Sequence, residues 1–223
     1  MNRAFPGSSN GSLAERIAER IFSTIKQTRP NLVLDLHSDW IKSIPYTLID
    51  QKPGRCRKQV YERTEMIAKK SGFLVVLDNE ESAKSFSYNL LQDNIPALTI
   101  ELGESYVVSE KNVRNGVESI LAILAHLEMV EGTDETFSLE LPQGFTGKVL
   151  KFSSGPVSAA SGIIRFLANP GDLVKKSQPA AKIYNPFGKL LDTVLCPGNG
   201  IVLGHPDSSV AFPGAPVMAL GLL

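Results

Sequence analysis

The sequence predicts an α/β fold: a mostly parallel sheet flanked by helices, followed by a small all-β, barrel-like region. Three observations carry this expectation. Two apolar runs of strand length, Asn31-Leu-Val-Leu-Asp-Leu-His37 and Ala97-Leu-Thr-Ile-Glu101, each end on an ionisable residue. Stretches with apolar residues at helical spacing alternate with such runs up to about residue 130, the pattern of βαβ units and parallel pairing. Beyond residue 130 the helical period is lost, and short apolar runs are separated by Gly and Pro pairs.

Taken in order, residues 1–11 read as loop, because Pro6-Gly-Ser-Ser-Asn-Gly11 is turn chemistry. A helix follows. Ser12 and Glu15 form a capping-box pattern, and Leu13, Ile17, Ile21 and Ile25 recur at helical spacing. Arg29-Pro30 ends it, since the residue before a proline is pushed out of the α region. The His-ending strand occupies residues 31–37, and residues 44–49 form a short strand. Pro53-Gly54 is a turn. A helix over 55–71 carries Val60, Thr64, Ile67 and Ala68 on one side and stops at Gly72. Phe73-Leu-Val-Val-Leu77 is a buried strand, residues 78–84 a charged loop, and residues 85–92 a short helix. After the Glu-ending strand, a last helix over 109–129 presents Val113, Val117, Ile120, Leu121, Leu124 and Leu127 as an apolar stripe.

Glu131-Gly-Thr-Asp-Glu-Thr136 reads as a linker, which divides the chain into an α/β catalytic-type domain, 1–136, and a small β domain, 137–223. The 23 Lys and Arg balance the 23 Asp and Glu, which leaves no basic excess for nucleic acid. Apolar runs fall short of the roughly 20 residues of a membrane span, so no membrane is expected as a partner. The first seven residues lack the apolar core of a signal peptide. Cys56 and Cys196 match no metal or redox spacing and read as free thiols of a cytoplasmic protein.

Several residues could carry chemistry. His37 leaves a buried strand, where ligands collect in open α/β sheets, and imidazole serves both as metal ligand and as acid–base group. Asp35 shares its strand face and would either orient the ring or pair locally. Glu101 is costly to bury without a partner, and beside a bound water it could act as general base. Gly103 permits close approach to the backbone behind it. Arg3, with Asn2 before it, offers a planar fork for a carboxylate. His126, His205 and Trp40 read as structural.

The ordered set Asn2-Arg-Ala-Phe-Pro-Gly7, Gly11-Ser12, Glu15-Arg-Ile-Ala18, Asp35-Leu-His37 and Glu101-Leu-Gly103 resembles the succinylglutamate desuccinylase/aspartoacylase family, relatives of the zinc carboxypeptidases. That family also carries a small β domain after its α/β domain. The resemblance implies a zinc-dependent hydrolase of the amide bond of N-acyl amino acids or similar small acyl compounds. It implies His37 as a zinc ligand and Glu101 as the acid–base that activates the zinc-bound water. Asn2 and Arg3 would grip the substrate carboxylate. Zinc would lower the pKa of its water towards about 7 and polarise the acyl oxygen. The family takes its first two zinc ligands from a His-Gly-x-Glu type motif placed before the Asn-Arg segment, whereas here Met1 directly precedes Asn2. The expectations are therefore an N-terminally truncated version of the zinc-carboxypeptidase-like fold, with Met1 an internal methionine, and an incomplete zinc site with impaired activity. An unpaired sheet edge, open to homo-oligomer formation, would follow.

Two other readings belong to different classes. The runs Ser161-Gly162, Pro170-Gly-Asp-Leu-Val-Lys-Lys176 and Cys196-Pro-Gly-Asn-Gly-Ile-Val202 are similar to a biotinyl/lipoyl-type barrel, with Lys189 as the residue a carrier would modify. Phe187-Gly188 and Leu190 around it are not the usual context of such a lysine. The chain could also be a non-catalytic remnant that binds an acyl-amino acid or a protein partner.

Overall fold

Strand residues alternate between two faces, so a sheet apolar on both sides needs cover on both sides. The computed structural model describes residues 2–78, 85–132, 137–140, 144–145, 147–206 and 208–223. The expected linker falls largely, and the expected charged loop almost wholly, outside these residues.

The first part of the chain runs α1 (Leu13–Thr28), β1 (Val33–His37), β2 (Lys42–Ser43), β3 (Tyr46–Ile49), α2 (Lys58–Lys69), β4 (Leu74–Leu77), α3 (Phe86–Gln92), β5 (Ala97–Glu101) and α4 (Glu110–His126). Strands follow: β6 (Val149–Ser153), β7 (Gly162–Phe166), β8 (Leu173–Val174), β9 (Pro179–Tyr184), β10 (Leu190–Leu195), β11 (Gly200–His205), β12 (Val210–Ala211) and β13 (Ala219–Leu222). None of the described helices is long and apolar enough to cross a membrane.

The helix signals act as expected at their ends. The Ser12 side chain accepts from the Glu15 backbone at 3.3 Å, and Glu15 accepts from the Ser12 backbone at 2.8 Å. Arg29 caps the other end of α1 in the left-handed region, at φ 50°. The apolar stripes are corrected. In α1 the buried residues are Ala18 and Phe22, while Leu13 and Ile17 are exposed. Successive i+4 steps drift by about 40° around a 3.6-residue helix, so a stripe of strict fours cannot stay on one face. In α4 the buried residues are Gly116, Ser119 and Ile123, and Val113, Val117 and Leu121 face outward. The helix approaches through small residues: a Cβ on Gly116 would lie 2.7 Å from Leu102 Cδ2.

The large sheet has nine strands in the order β1-β5-β3-β4-β6-β13-β11-β2, with β8 also paired to β11. It is mixed rather than mostly parallel. β1–β5, β3–β4 and β4–β6 are parallel, whereas β3 runs antiparallel to β5, and β6, β13, β11, β2 and β8 join antiparallel. The reversal at β3 follows from the short path after β1: eight residues separate His37 from Tyr46, too few for the helical crossover a parallel neighbour needs. The sheet also runs on past residue 137, since β6 pairs with β4.

A four-stranded antiparallel sheet, β10-β9-β7-β12, accompanies it, and Ile164, Ile183, Val194, Val202, Met218 and Leu220 share one buried cluster. These pairings make two sheets with ends at β10 and β12; among the described residues they do not close into one ring.

Register tells which face each side chain occupies. Tyr46 pairs with Glu101 and Leu74, and Val76 pairs with Leu48 and Leu150. The opposite residues Ile49, Val75, Leu98 and Ile100 pack with Ile67 and Ala68 of α2 and Ile123 of α4. On the Glu101 face, α1 and α3 cover Val33 and Ala97 through Phe22, Phe86 and Leu90. The remainder of that face is where the site lies.

Candidate active site

A cavity of about 230 Å³ lies over this face, lined by Asn2, Arg3, His37, Asp39, Tyr46, Leu48, Asp50, Asp78, Ser85, Ser87, Thr99, Glu101, Phe152 and Ser154. Asn2, Arg3, His37 and Glu101, the four residues to which the family resemblance gives roles, are among them. A larger cleft of about 810 Å³ runs between α1 and α3 and includes none of the four.

His37 and Glu101 meet because β1 and β5 are parallel neighbours whose last residues pair in register. His37 Nδ1 lies 3.5 Å from Glu101 Oε1, and His37 Nε2 lies 3.1 Å from Asp35 Oδ2. Asp35 thus holds the ring from the strand's own face, one of the two roles open to it in sequence. Hydrogen bonding to Asp35, then to Glu101, raises His37 to about 10. Glu101 is 7% exposed, and its Oε2 is buried without a hydrogen-bond partner among the described residues. A buried acceptor left open in this way is unusual in a folded chain.

Asn2 and Arg3 reach the cavity on a turn that is clamped at its base. Phe5 packs 4.8 Å from Phe86, ring to ring, and the Asn89 side chain donates to the Phe5 carbonyl at 3.3 Å. Ser8 N donates to Glu15 O at 3.1 Å. Gly7, at φ +90°, lies so close to α1 that a Cβ would meet Glu19 N and Glu15 O.

The other carboxylates of the cavity carry no counterpart in the sequence reading. Asp39 accepts from the Tyr46 hydroxyl at 2.7 Å. Burial pushes Asp39 up to about 7, Glu101's charge adds to this, and the Tyr46 hydrogen bond opposes it. Burial likewise holds the Tyr46 phenol well above its usual range. Asp50 accepts from Ser85 at 3.2 Å, and burial raises it to about 6 against hydrogen bonds from Ser87 and Ser85 and the charge of Arg3. The same Ser85 oxygen accepts from Tyr88 N at 3.2 Å and caps α3. The alternation Tyr46-Thr-Leu-Ile-Asp50 held a signal for Tyr46 and Asp50. Nothing in sequence tied Phe152 and Ser154, about fifty residues beyond Glu101, to this place.

A catalytic zinc site takes about three protein ligands, and among the described residues no three His, Cys, Asp or Glu side chains are grouped to hold a metal ion. His37 Nδ1 faces Glu101, and by themselves these residues do not fit a catalytic zinc. His126 is exposed in the last turn of α4. His205 is buried, stacked 3.9 Å from Phe166. Lys189 follows the turn between β9 and β10, away from the cavity lining.

The arrangement can move a proton through Glu101, hold an anion on Arg3, and fix an imidazole beside Glu101. A family model described as the succinylglutamate desuccinylase/aspartoacylase catalytic domain matches residues 1–127. No curated protein matches the sequence. Among solved structures, a succinylglutamate desuccinylase/aspartoacylase from Rhodobacter sphaeroides is similar at 22% identity and TM-score 0.78, over 99% of this chain and 67% of that one. The product-bound ectoine utilization protein EutE (DoeB) from Ruegeria pomeroyi gives 20% identity and TM-score 0.80, over 100% of this chain and 67% of that one. A succinylglutamate desuccinylase from Silicibacter gives 15% and 0.77, over 99% and 66%. The chain therefore spans about two thirds of the length of these structures, and the likeness shows a common fold.

Proposed function

The chain belongs to the succinylglutamate desuccinylase/aspartoacylase family, and on that premise we propose that it is a deacylase-type hydrolase acting on the amide bond of N-acyl amino acids or similar small acyl compounds. The observation that carries this is the in-register meeting of His37 and Glu101 over a cavity that Asn2 and Arg3 also line. In this reading Arg3 and Asn2 bind the substrate carboxylate and so set the amide against Glu101. Glu101 takes a proton from the attacking water and delivers it to the leaving nitrogen. Asp35 keeps the His37 ring in its plane. Residues 1–136 carry these groups, and residues 137–223 supply the far wall through Phe152 and Ser154. The product bound in the Ruegeria pomeroyi protein supports a small-molecule pocket in this fold.

Of the ligands that the family's zinc would need, His37 is the one this chain would offer. A single imidazole gives weak zinc binding, so turnover by this chain is low or absent. Metal analysis of the purified protein, together with release of free amino acid from N-acetyl and N-succinyl substrates, tests this. The expected result is zinc well below one per chain and negligible turnover; one tightly held zinc with turnover overturns the impairment. With zinc and turnover present, Glu101→Gln should abolish hydrolysis, and an unchanged rate would remove Glu101 from the mechanism.

A second reading, a non-catalytic remnant that binds an acyl-amino acid or a protein partner, is favoured by one observation. His37 has a carboxylate oxygen at each ring nitrogen, Asp35 Oδ2 at 3.1 Å from Nε2 and Glu101 Oε1 at 3.5 Å from Nδ1, which leaves neither nitrogen open to a metal. Binding of N-acyl amino acids without turnover at saturating zinc would support it.

A further inference from the structure

We infer that Phe152 limits the length of the amino-acid side chain that the cavity admits. The inference rests on the reading above, that an N-acyl amino acid binds with its carboxylate on Arg3 and its amide at Glu101.

Register carries the argument. Tyr46 faces the same way as Glu101, Leu48 pairs with Val76, and Val76 with Leu150. Phe152, two residues past Leu150, therefore shares that face. β3 and β4 lie between β5 and β6, so Phe152 stands three strand spacings across the sheet, on the order of 14 Å, and four residues further along than the row of Glu101, Tyr46 and Leu74. That is too far for it to touch the reacting amide.

Asp50, just past the end of β3, lies between these limits, and Arg3 lines the same cavity. A carboxylate on Arg3 and an amide at Glu101 together occupy the β5–β3 side of the cavity. The β6 side of the cavity is then left for the amino-acid side chain, and Phe152 and Ser154 close it. The Phe152 ring has little freedom to withdraw, because it packs against the cluster of Tyr46, Leu74, Val76 and Leu150. The cavity, at about 230 Å³, lies below the range of about 300–1,000 Å³ that takes drug-sized ligands. Short side chains fit this space, and long or aromatic ones meet the ring.

The test is calorimetric titration of the full chain with N-acetyl-alanine, N-acetyl-norvaline, N-acetyl-norleucine and N-acetyl-phenylalanine. Affinity should fall by about tenfold or more along this series, the usual scale for one or two misplaced methylenes. Phe152→Ala should flatten the series, and Phe152→Leu should give an intermediate slope. A second series, alanine acylated with acetyl, butyryl and hexanoyl groups, should respond equally in wild type and variants. Circular dichroism melts establish that the variants fold; if Phe152→Ala does not, the wild-type slope and Phe152→Leu decide. Equal wild-type affinity along the first series overturns the inference and leaves the proposed function standing. So does a slope unchanged in the folded variants. Failure of every N-acyl amino acid to bind wild type overturns the proposed function itself, and the inference with it.

Discussion

At the scale of single residues, the site holds two buried carboxyl groups, Asp39 and Asp50, whose ionisation folding opposes. Asp50 is the clearer. Burial raises its pKa from 3.8 to about 6, against hydrogen bonds from Ser87 and Ser85. A carboxyl raised on folding contributes stability that is fully present below its unfolded pKa and lost as pH rises through the folded one. Asp50 therefore costs the fold stability above about pH 6 and not below about pH 4. Asp50→Asn should stabilise the protein at pH 8 by on the order of 1–3 kcal/mol and change little at pH 4. Denaturant melts at the two pH values check this, and equal effects at both would count against it. Asp50 was not singled out in sequence because Tyr46-Thr-Leu-Ile-Asp50 reads as an ordinary strand running into a turn. His37 and Glu101 were legible because each closes an apolar run, where an ionisable group is conspicuous. The partner of His37 was half legible: period two put Asp35 on the right face, but not its oxygen within 3.1 Å of the ring.

At the scale of elements, the turn carrying Asn2 and Arg3 depends on α1. Its anchor is Gly7, whose Cα lies against the α1 backbone at a φ of +90°. Gly7→Ala should lower stability by a few kcal/mol, as steric and dihedral strain act together. It should also weaken binding of carboxylate ligands more than Asn10→Ala, a change elsewhere in the same loop. Thermal melts and ligand titrations of both variants measure this; a normal melt for Gly7→Ala would show that the close approach is not needed. Helix ends were well read, since Ser12, Glu15 and Arg29-Pro30 act through local chemistry. Helix faces were read less well. The inner side of α4 is built from Gly116 and Ser119, residues that no search for apolar periodicity selects, and the Val113, Val117 and Leu121 stripe lies outside.

At the scale of the whole molecule, β1 ends the large sheet, and among the described residues no strand pairs with its outer side. Leu36 on β1 is 47% exposed, and Leu13 of α1 is 66% exposed. Edges of this kind pair with other chains unless they are blunted. We expect concentration-dependent self-association, reduced by Leu36→Lys; sedimentation showing a monodisperse monomer at high concentration would refute it. Parallel pairing of β1 with β5 could be expected from sequence, but the reversed β3 and the continuation of the sheet into β6, β13 and β11 could not. Long-range pairing depends on which edge is free when each strand arrives, and local residue patterns do not record that. The same face arithmetic has a bearing on how the pocket could change by descent. Its floor is written in alternate residues of β5, β3 and β6, so inserting or deleting one residue in any of these strands would trade floor for core. Heritable changes of ligand preference in this scaffold should therefore accumulate as point replacements, with insertions and deletions confined to the connections between strands.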